Sequence, residues 1–206
     1  MTRLLRIDTS ARTQGSHTRA LGDAFEVQWQ NRFPDTRVIR RDLAAEPVPQ
    51  ISEATVQGFY TAPADMTDAL RAATAVSDQL IDELMAADAL LITVPIYNFS
   101  IPAALKAWID QIVRAGRTFA FDGTQFTGLV TGKTVFVMCA YGASGYAPGG
   151  PLAATDFLKP YLRQLFNFLG CTEVHFYDIQ GAVTDPATAE KTRAACLHAF
   201  TTQLAA

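Results

Sequence analysis

Between Ala89 and Arg114 the chain reads ALLITVPIYNFSIPAALKAWIDQIVR, and this stretch constrains the fold more than any other. Ala89–Val94 is a short apolar run without charge, the pattern of a strand buried on both faces of a parallel sheet. Pro95 ends it. After the loop Ile96-Tyr97-Asn98-Phe99-Ser100, Pro102 suits a first helical turn, where its missing N–H is not needed. Leu105, Trp108, Ile109, Ile112 and Val113 then recur at helical spacing and give the helix one apolar face. The loop is therefore expected at the carboxyl end of a central strand, where open α/β sheets place their ligands. Tyr97 and Phe99 read equally as a binding surface or as caps on the core.

The same alternation extends along the chain. Leu4–Ile7 is a first strand ending at Asp8-Thr9-Ser10, and Ser16, His17 or Thr18 caps a helix carrying Leu21, Ala24 and Phe25 inward. Pro34-Asp35 breaks that helix, and Thr36–Leu43 is a second strand polar enough for an edge. Ala44 to Ala64, with Pro47, Pro49 and Pro63, reads as a long connecting loop with an aromatic tip at Gln57–Tyr60. Asp65 to Ala87 is helical. Thr118–Phe121 and Asp122-Gly123 form extended chain entering a turn. Thr134–Cys139 is a strand, and Phe157 to Leu169 a helix with Pro160 near its first turn and Gly170 as its cap. Glu173–Ile179 is the last strand, and Asp185-Pro186 opens a terminal helix. The expected fold is α/β, a doubly wound five-stranded parallel sheet flanked by helices, with 1–206 as one domain. At 206 residues and 49% hydrophobic, the chain has material for one substantial core.

Composition removes several classes of function. A net charge of −3 offers no broad basic surface for nucleic acid or anionic lipid. No apolar run approaches the roughly 20 residues that span a bilayer, so no membrane partner is expected. Cys139, Cys171 and Cys196 lack CxxC or zinc spacing, which fits a reducing, cytoplasmic setting and predicts no metal. His17, His175 and His198 belong to no triad or ligand set, and Cys139 has no basic neighbour to activate it.

Three strand-end loops carry the chemistry. The first, Asp8 to Arg19, combines Ser10, Ser16 and Thr18 with a helix N-terminus, and it holds no carboxylate between Asp8 and Asp23. That is the equipment for phosphate, since first-turn N–H groups lack intrahelical acceptors. Gly128-Leu129-Val130-Thr131-Gly132-Lys133-Thr134 imitates a Walker loop, but its glycines are one residue too close and it precedes a strand. The Rossmann fingerprint is absent as well. The second loop supplies Ile96, Tyr97, Asn98 and Phe99 for a planar ring. In the third, Ala140-Tyr141-Gly142-Ala143, Gly142 admits close approach of backbone to a ring, and Tyr141 could lie over or beside it. Phosphate joined to a flat heteroaromatic describes FMN. With the cofactor performing the reaction, no catalytic side chain is required.

On these residues the chain resembles the FMN-dependent NADH-azoreductases, in the flavodoxin-like NAD(P)H:quinone oxidoreductase group, over nearly its whole length. The most specific likeness is Pro95-Ile96-Tyr97-Asn98-Phe99, where relatives usually carry Pro-Met-Tyr-Asn-Phe. Ser10 and Ser16-His17-Thr18 match the family's phosphate positions, and Gly128–Lys133 matches a stretch frequent before its fourth strand. The resemblance implies a homodimer, bound FMN, NADH as donor, and a quinone or azo acceptor served by a ping-pong route. By rough alignment it makes Phe59, Tyr60, Phe119 and Phe121 substrate-pocket walls, with core or dimer packing as their other reading. Ala140-Tyr141-Gly142-Ala143 departs from the family's Ser-Arg-Gly-Gly type. An FMN, nitro or chromate reductase and a flavodoxin-like electron carrier are the alternative functions.

Overall fold

A computed structural model of the chain describes residues 1–205. Five parallel strands form its main sheet: β1 (Arg3–Asp8), β2 (Arg37–Asp42), β3 (Ala89–Pro95), β6 (Thr134–Ala140) and β7 (Glu173–Ile179). Their spatial order is β2-β1-β3-β6-β7, as expected of a flavodoxin-like sheet. A separate antiparallel hairpin pairs β4 (Phe119–Phe121) with β5 (Phe126–Gly128). The chain leaves β1 toward β2 and then crosses back to β3. That reversal opens a crevice at the carboxyl ends of β1 and β3.

Each strand divides its side chains between two cores by the period of two. Leu5, Ile7, Leu90, Ile92, Val94, Val135 and Val137 face α3 (Asp68–Ala86), α4 (Ala103–Ile112) and α5 (Leu158–Leu169). Leu4, Leu91, Phe136, Met138 and Tyr177 face α1 (His17–Arg32) and α6 (Pro186–Ala205). Trp108 is buried in the first core and has no surface to give to a subunit contact.

Beneath α1 lies a buried charge cluster. Arg6 reaches Asp8 at 3.1 Å, Asp23 at 2.8 Å and Glu26 at 3.0 Å. Burial opposes its charge, yet the surrounding carboxylates hold its pKa above the ordinary arginine value. Gly22 lets α1 lie close enough that a Cβ there would sit 2.5 Å from the Thr93 methyl. Helix α1 is thereby fixed against β3, and so is the loop that precedes it.

Two connections differ from their sequence expectation. The stretch 44–64 is no bare loop: it contains α2 (Glu53–Tyr60), started by a capping box in which the Ser52 and Thr55 side chains serve each other's backbone N–H. Prolines on both sides hid a helix of only two turns. The segment after Asp122-Gly123 returns as β5, with Asp122 Oδ1 accepting from the N–H groups of Thr124 and Gln125. The Walker-like stretch serves the opposite, amino end of the sheet. Lys133 donates to the carbonyls of Met85, at 2.9 Å, and Ala87, closing the end of α3.

Gly128 meets α5 backbone to backbone. A Cβ on it would lie 2.2 Å from the Leu169 carbonyl carbon and 2.3 Å from the Gly170 nitrogen. Neither atom can rotate away. Gly128→Ala is therefore expected to destabilise the protein by about 2 kcal/mol or more, read as a lower urea midpoint at unchanged slope. An unchanged midpoint would show that the hairpin can lift off α5 freely.

Candidate active site

The crevice at the switch point is a cavity of about 240 Å³ lined by three of the sheet's loops and a fourth that follows β7. At one end stand Ser10, Arg12, Ser16, His17 and Thr18; at the other, Pro95, Ile96, Tyr97, Ala140, Gly142, Ala182 and Val183. Among the described residues, no carboxylate lines it.

The polar end is built by the turn from β1 into α1. Thr9 N–H and Oγ1 both donate to Thr93 O, at 3.1 and 2.9 Å, pinning the loop's entry to β3. Ser16 is the N-cap, accepting from Arg19 N–H at 3.4 Å, and its hydroxyl lies 3.2 Å from that of Thr18. Arg19 ties this turn to β2: its guanidinium donates to both Asp42 carboxylate oxygens, at 2.6 and 2.8 Å, and to Ser10 O at 2.8 Å. The hydrogen bond from Arg19 chiefly holds the Asp42 carboxyl below the usual carboxylate range. Arginine charge here is spent inside the protein. The groups left for a ligand are hydroxyls, first-turn N–H groups and the exposed Arg12.

The second loop is a two-residue turn closed by reciprocal bonds, Tyr97 N–H to Ser100 O at 2.9 Å and Ser100 N–H to Tyr97 O at 3.0 Å. Asn98 and Phe99 at its tip have φ of 48° and 71°. Positive φ at both central positions is the signature of a type I′ turn, and a bulky phenylalanine there is strained. Such strain gathers at ligand clamps. Ile96 N–H donates to Ala140 O at 3.0 Å, and the Tyr97 hydroxyl accepts from Ala11 N–H at 3.3 Å. Tyr97 therefore touches the first loop through its hydroxyl, while the residue before it, Ile96, is joined by its backbone to Ala140 at the start of the third.

In the third loop, Tyr141 donates its N–H to Ile179 O and accepts from Ala182 N–H, at 2.8 and 2.9 Å. The carbonyl of Gly142 accepts from Val183 and Thr184, and that of Ala143 from Gly181. Among the described residues, the N–H groups of Gly142 and Ala143 have no partner. A Cβ on Gly142 would meet nothing nearer than Val183 at 3.6 Å, so the space beside it is the cavity itself.

The Tyr141 ring, expected over or beside a ligand ring, points the other way. It is fully buried, packs tilted at 32° against Tyr146 with 4.7 Å between centroids, and donates its hydroxyl to Asp156 at 3.0 Å. Burial pushes its phenol pKa well upward. The cause is parity: Val135, Val137, Cys139 and Tyr141 share one core face, so Tyr141 continues the inward row of β6. Cys139 lies in that row as a buried thiol, its pKa raised by desolvation.

Ser10, Ser16, His17, Thr18, Ile96, Tyr97, Ala140 and Gly142 come together on the cavity. Asn98 instead borders a neighbouring, larger cavity of about 760 Å³, which shares Tyr97 and is bounded by Gln50, Ile51, α4 and Tyr161. Phe99 is about half exposed at the turn tip. The four expected substrate aromatics line neither cavity. Phe59 lies under the Arg114 guanidinium at 4.9 Å, and Tyr60 is 82% exposed on α2. Phe119 and Phe121 pack on Phe126, with Phe119 also against Phe168 of α5. Sequence reading missed Arg12, Ala182 and Val183; Gly181, two residues after the end of the sheet's last strand, was the available signal for the last two. Among the described residues, no group of three or more His, Cys, Asp or Glu side chains could hold a metal ion.

Residues 2–204 match the model of a family described by its flavodoxin-like fold. The FMN-dependent NADH:quinone oxidoreductase of Xanthobacter autotrophicus is 57% identical over 174 residues, covering 84% of each chain. Its namesake from Nostoc punctiforme is 42% identical over 176 residues, 85% of each. Among solved structures, an azoreductase from Bacillus anthracis superposes with a TM-score of 0.89 at 26% identity over 99% of both chains. A second from that organism, an FMN-dependent NADH-azoreductase in complex with FMN, shares the fold with a TM-score of 0.87 at 21% identity, over 99% of this chain and all of its own. With the three loops in place on this sheet, the chain belongs to the flavodoxin-like fold family, in the branch of the FMN-dependent NADH:quinone oxidoreductases.

Proposed function

We propose that this chain, as a single domain and in a cytoplasmic homodimer, is an FMN-dependent oxidoreductase. It takes a hydride from NADH and passes two electrons to a quinone or an aromatic azo compound. The observation that carries this reading is one cavity with two chemically opposite ends. Hydroxyls and a helix N-terminus lie at one end, and apolar walls with the unpartnered N–H of Gly142 lie at the other, Ala143 following just outside the lining. FMN has the same two ends, and the donor set fits it.

When bound, FMN supplies the two-electron chemistry, and the chain supplies binding and orientation. Ser10, Ser16 and Thr18, with the N–H groups of His17 and Thr18, would hold the phosphate. Ile96, Tyr97 and Ala140 would bound the ring face, while Phe99 and Asn98 shape the turn beneath it. The N–H groups of Gly142 and Ala143 would donate to the polar edge of the ring, where added negative charge is best met by fixed dipoles. Tyr141 contributes through its backbone. Ala182 and Val183 would shield that edge from water. No side chain is assigned a proton-transfer role. Tyr60 and Phe121, exposed and lining neither cavity, suit contact with a second subunit better than contact with substrate in the same chain. Among the described residues, no helix is long and apolar enough to cross a membrane.

The purified protein is expected to show a flavin absorption band that bleaches on addition of NADH alone and recovers with a quinone. Absence of the band, together with failure to take up added FMN, would overturn the reading. A band indifferent to NADH would turn it toward an electron carrier.

Removing two phosphate donors at once, Ser16→Ala with Thr18→Ala, should weaken FMN binding about tenfold or more, because each hydrogen bond goes to a charged group. Unchanged affinity in a titration would move the phosphate elsewhere.

Acid should loosen the same loop. Asp42 has its pKa lowered in the folded protein, so its pairing with Arg19 stabilises fully above the unfolded value. That contribution fades as pH falls through the lower folded value, below about pH 4. Because Arg19 also holds Ser10 O, FMN retention should decline in that window, and Asp42→Asn should show weaker retention already at pH 7 with a flatter acid branch. Identical acid branches in the two proteins would exclude this pair as the cause.

A further inference from the structure

The Ile96–Ala140 hydrogen bond fixes where the two ring-side loops begin, but not how their outer parts keep their positions relative to one another. The turn at Asn98 and Phe99 is strained, and the loop at Gly142 is held open. Both lead to one place outside the cavity, the entry of α5.

Asp156 is buried, and its carboxylate is divided between two tasks. One oxygen, Oδ1, accepts from the N–H groups of Leu158 and Lys159, at 3.0 and 3.2 Å, and so caps α5. The other, Oδ2, accepts the Tyr141 hydroxyl at 3.0 Å. The next residue faces the second loop: Phe157 N–H donates to Phe99 O at 3.0 Å. Lys159 completes the support, with its ammonium 3.5 Å from Asp156, paired to Asp178, and 5.4 Å from the centre of the Tyr141 ring. Two successive residues thus grip the loop after β6 by a side chain and the loop after β3 by a backbone N–H.

We infer that Asp156 is a positioning residue whose carboxylate, through Tyr141 on one side and the adjoining Phe157 N–H on the other, clamps the two ring-side loops into one rigid platform. The inference rests on the proposed FMN site for its purpose, though not for its geometry. A hydrogen bond from a phenol to a buried carboxylate is charge-assisted and among the stronger kinds. Held by it, the free N–H groups of Gly142 and Ala143 keep a fixed place relative to the Tyr97 turn.

The test is amide hydrogen exchange on the purified protein, with flavin content recorded for each sample. Tyr141→Phe keeps the ring packed against Tyr146 and removes only the hydroxyl. Asp156→Ser keeps an N-cap for α5 and withdraws the acceptor from Tyr141. Each is expected to speed exchange at least about fivefold both at 140–145 and at 97–101, with the first turn of α1 unchanged. In flavin-loaded protein, the same variants should change the shape of the flavin absorption band. Asp156→Asn, which can still accept from the helix and bond the Tyr141 hydroxyl, should restore wild-type exchange. Faster exchange confined to 140–145 or to α5, or no change at all, would overturn the clamp. If the wild-type protein takes up no FMN, the functional reading fails by that result alone, and the exchange pattern still decides the clamp.

Discussion

One hydrogen bond carries the sheet's order past its own edge. The β3–β6 ladder runs in register from Ala89 with Thr134 to Pro95 with Ala140, and Ile96 N–H then donates to Ala140 O. The pairing therefore reaches one residue past the end of β3, and it sets the spacing between the loops that follow β3 and β6 at the cavity. Pro95 can occupy that last position because it has no N–H to satisfy and the next residue provides one. The cavity's width is thus inherited from backbone pairing. Side chains tune its lining, but the span between Ile96 and Ala140 belongs to the sheet.

On this fixed spacing the protein can hold a conformation that it would not adopt alone. Asn98 accepts positive φ readily, whereas Phe99 at 71° is costly by about 1–3 kcal/mol. The turn is held on three sides: by its own reciprocal bonds, by Phe157 N–H on the Phe99 carbonyl, and by Ala11 N–H on the Tyr97 hydroxyl. The gain is a tight reversal that leaves Tyr97 on the cavity wall and sends Phe99 outward. A flexible loop of the same residues would have to pay ordering entropy each time a ligand arrived.

The sheet was legible because its strands are short apolar runs separated by helices with clear periodicity and caps, as at Ser16 and Asp185. Helix α2 was not, since eight residues give periodicity little room and the flanking prolines read as loop; only the spacing of Ser52 and Thr55 marked it. That Ser10, Ser16 and Thr18 would share one wall of a cavity was legible from residue type alone, because clustered hydroxyls without carboxylates have few other uses before a helix. The orientation of Tyr141 was hidden for a physical reason. β6 is buried on both faces, so its residues show no polar–apolar alternation from which to read direction. Counting parity from Val135 through Cys139 would have turned Tyr141 inward. The aromatics Phe59, Phe119 and Phe121 were misleading because a ring's hydrophobicity is the same whether it meets a ligand, a helix or a guanidinium.

The distribution of charge around the first loop follows from the same economy. Arg6 and Arg19 flank the hydroxyl-lined end of the cavity, yet both are matched by carboxylates of the protein: Arg6 by Asp8, Asp23 and Glu26, and Arg19 by Asp42. An unpaired buried guanidinium would carry a large desolvation penalty whenever the site stood empty. Neutral donors avoid it, because hydroxyls can rotate toward water or toward each other, as Ser16 and Thr18 do at 3.2 Å. What the paired arginines contribute is placement. Arg19 holds the Ser10 carbonyl, Arg6 anchors the strand beneath, and the helix N-terminus then presents its N–H groups from a frame that needs no anion to keep its shape.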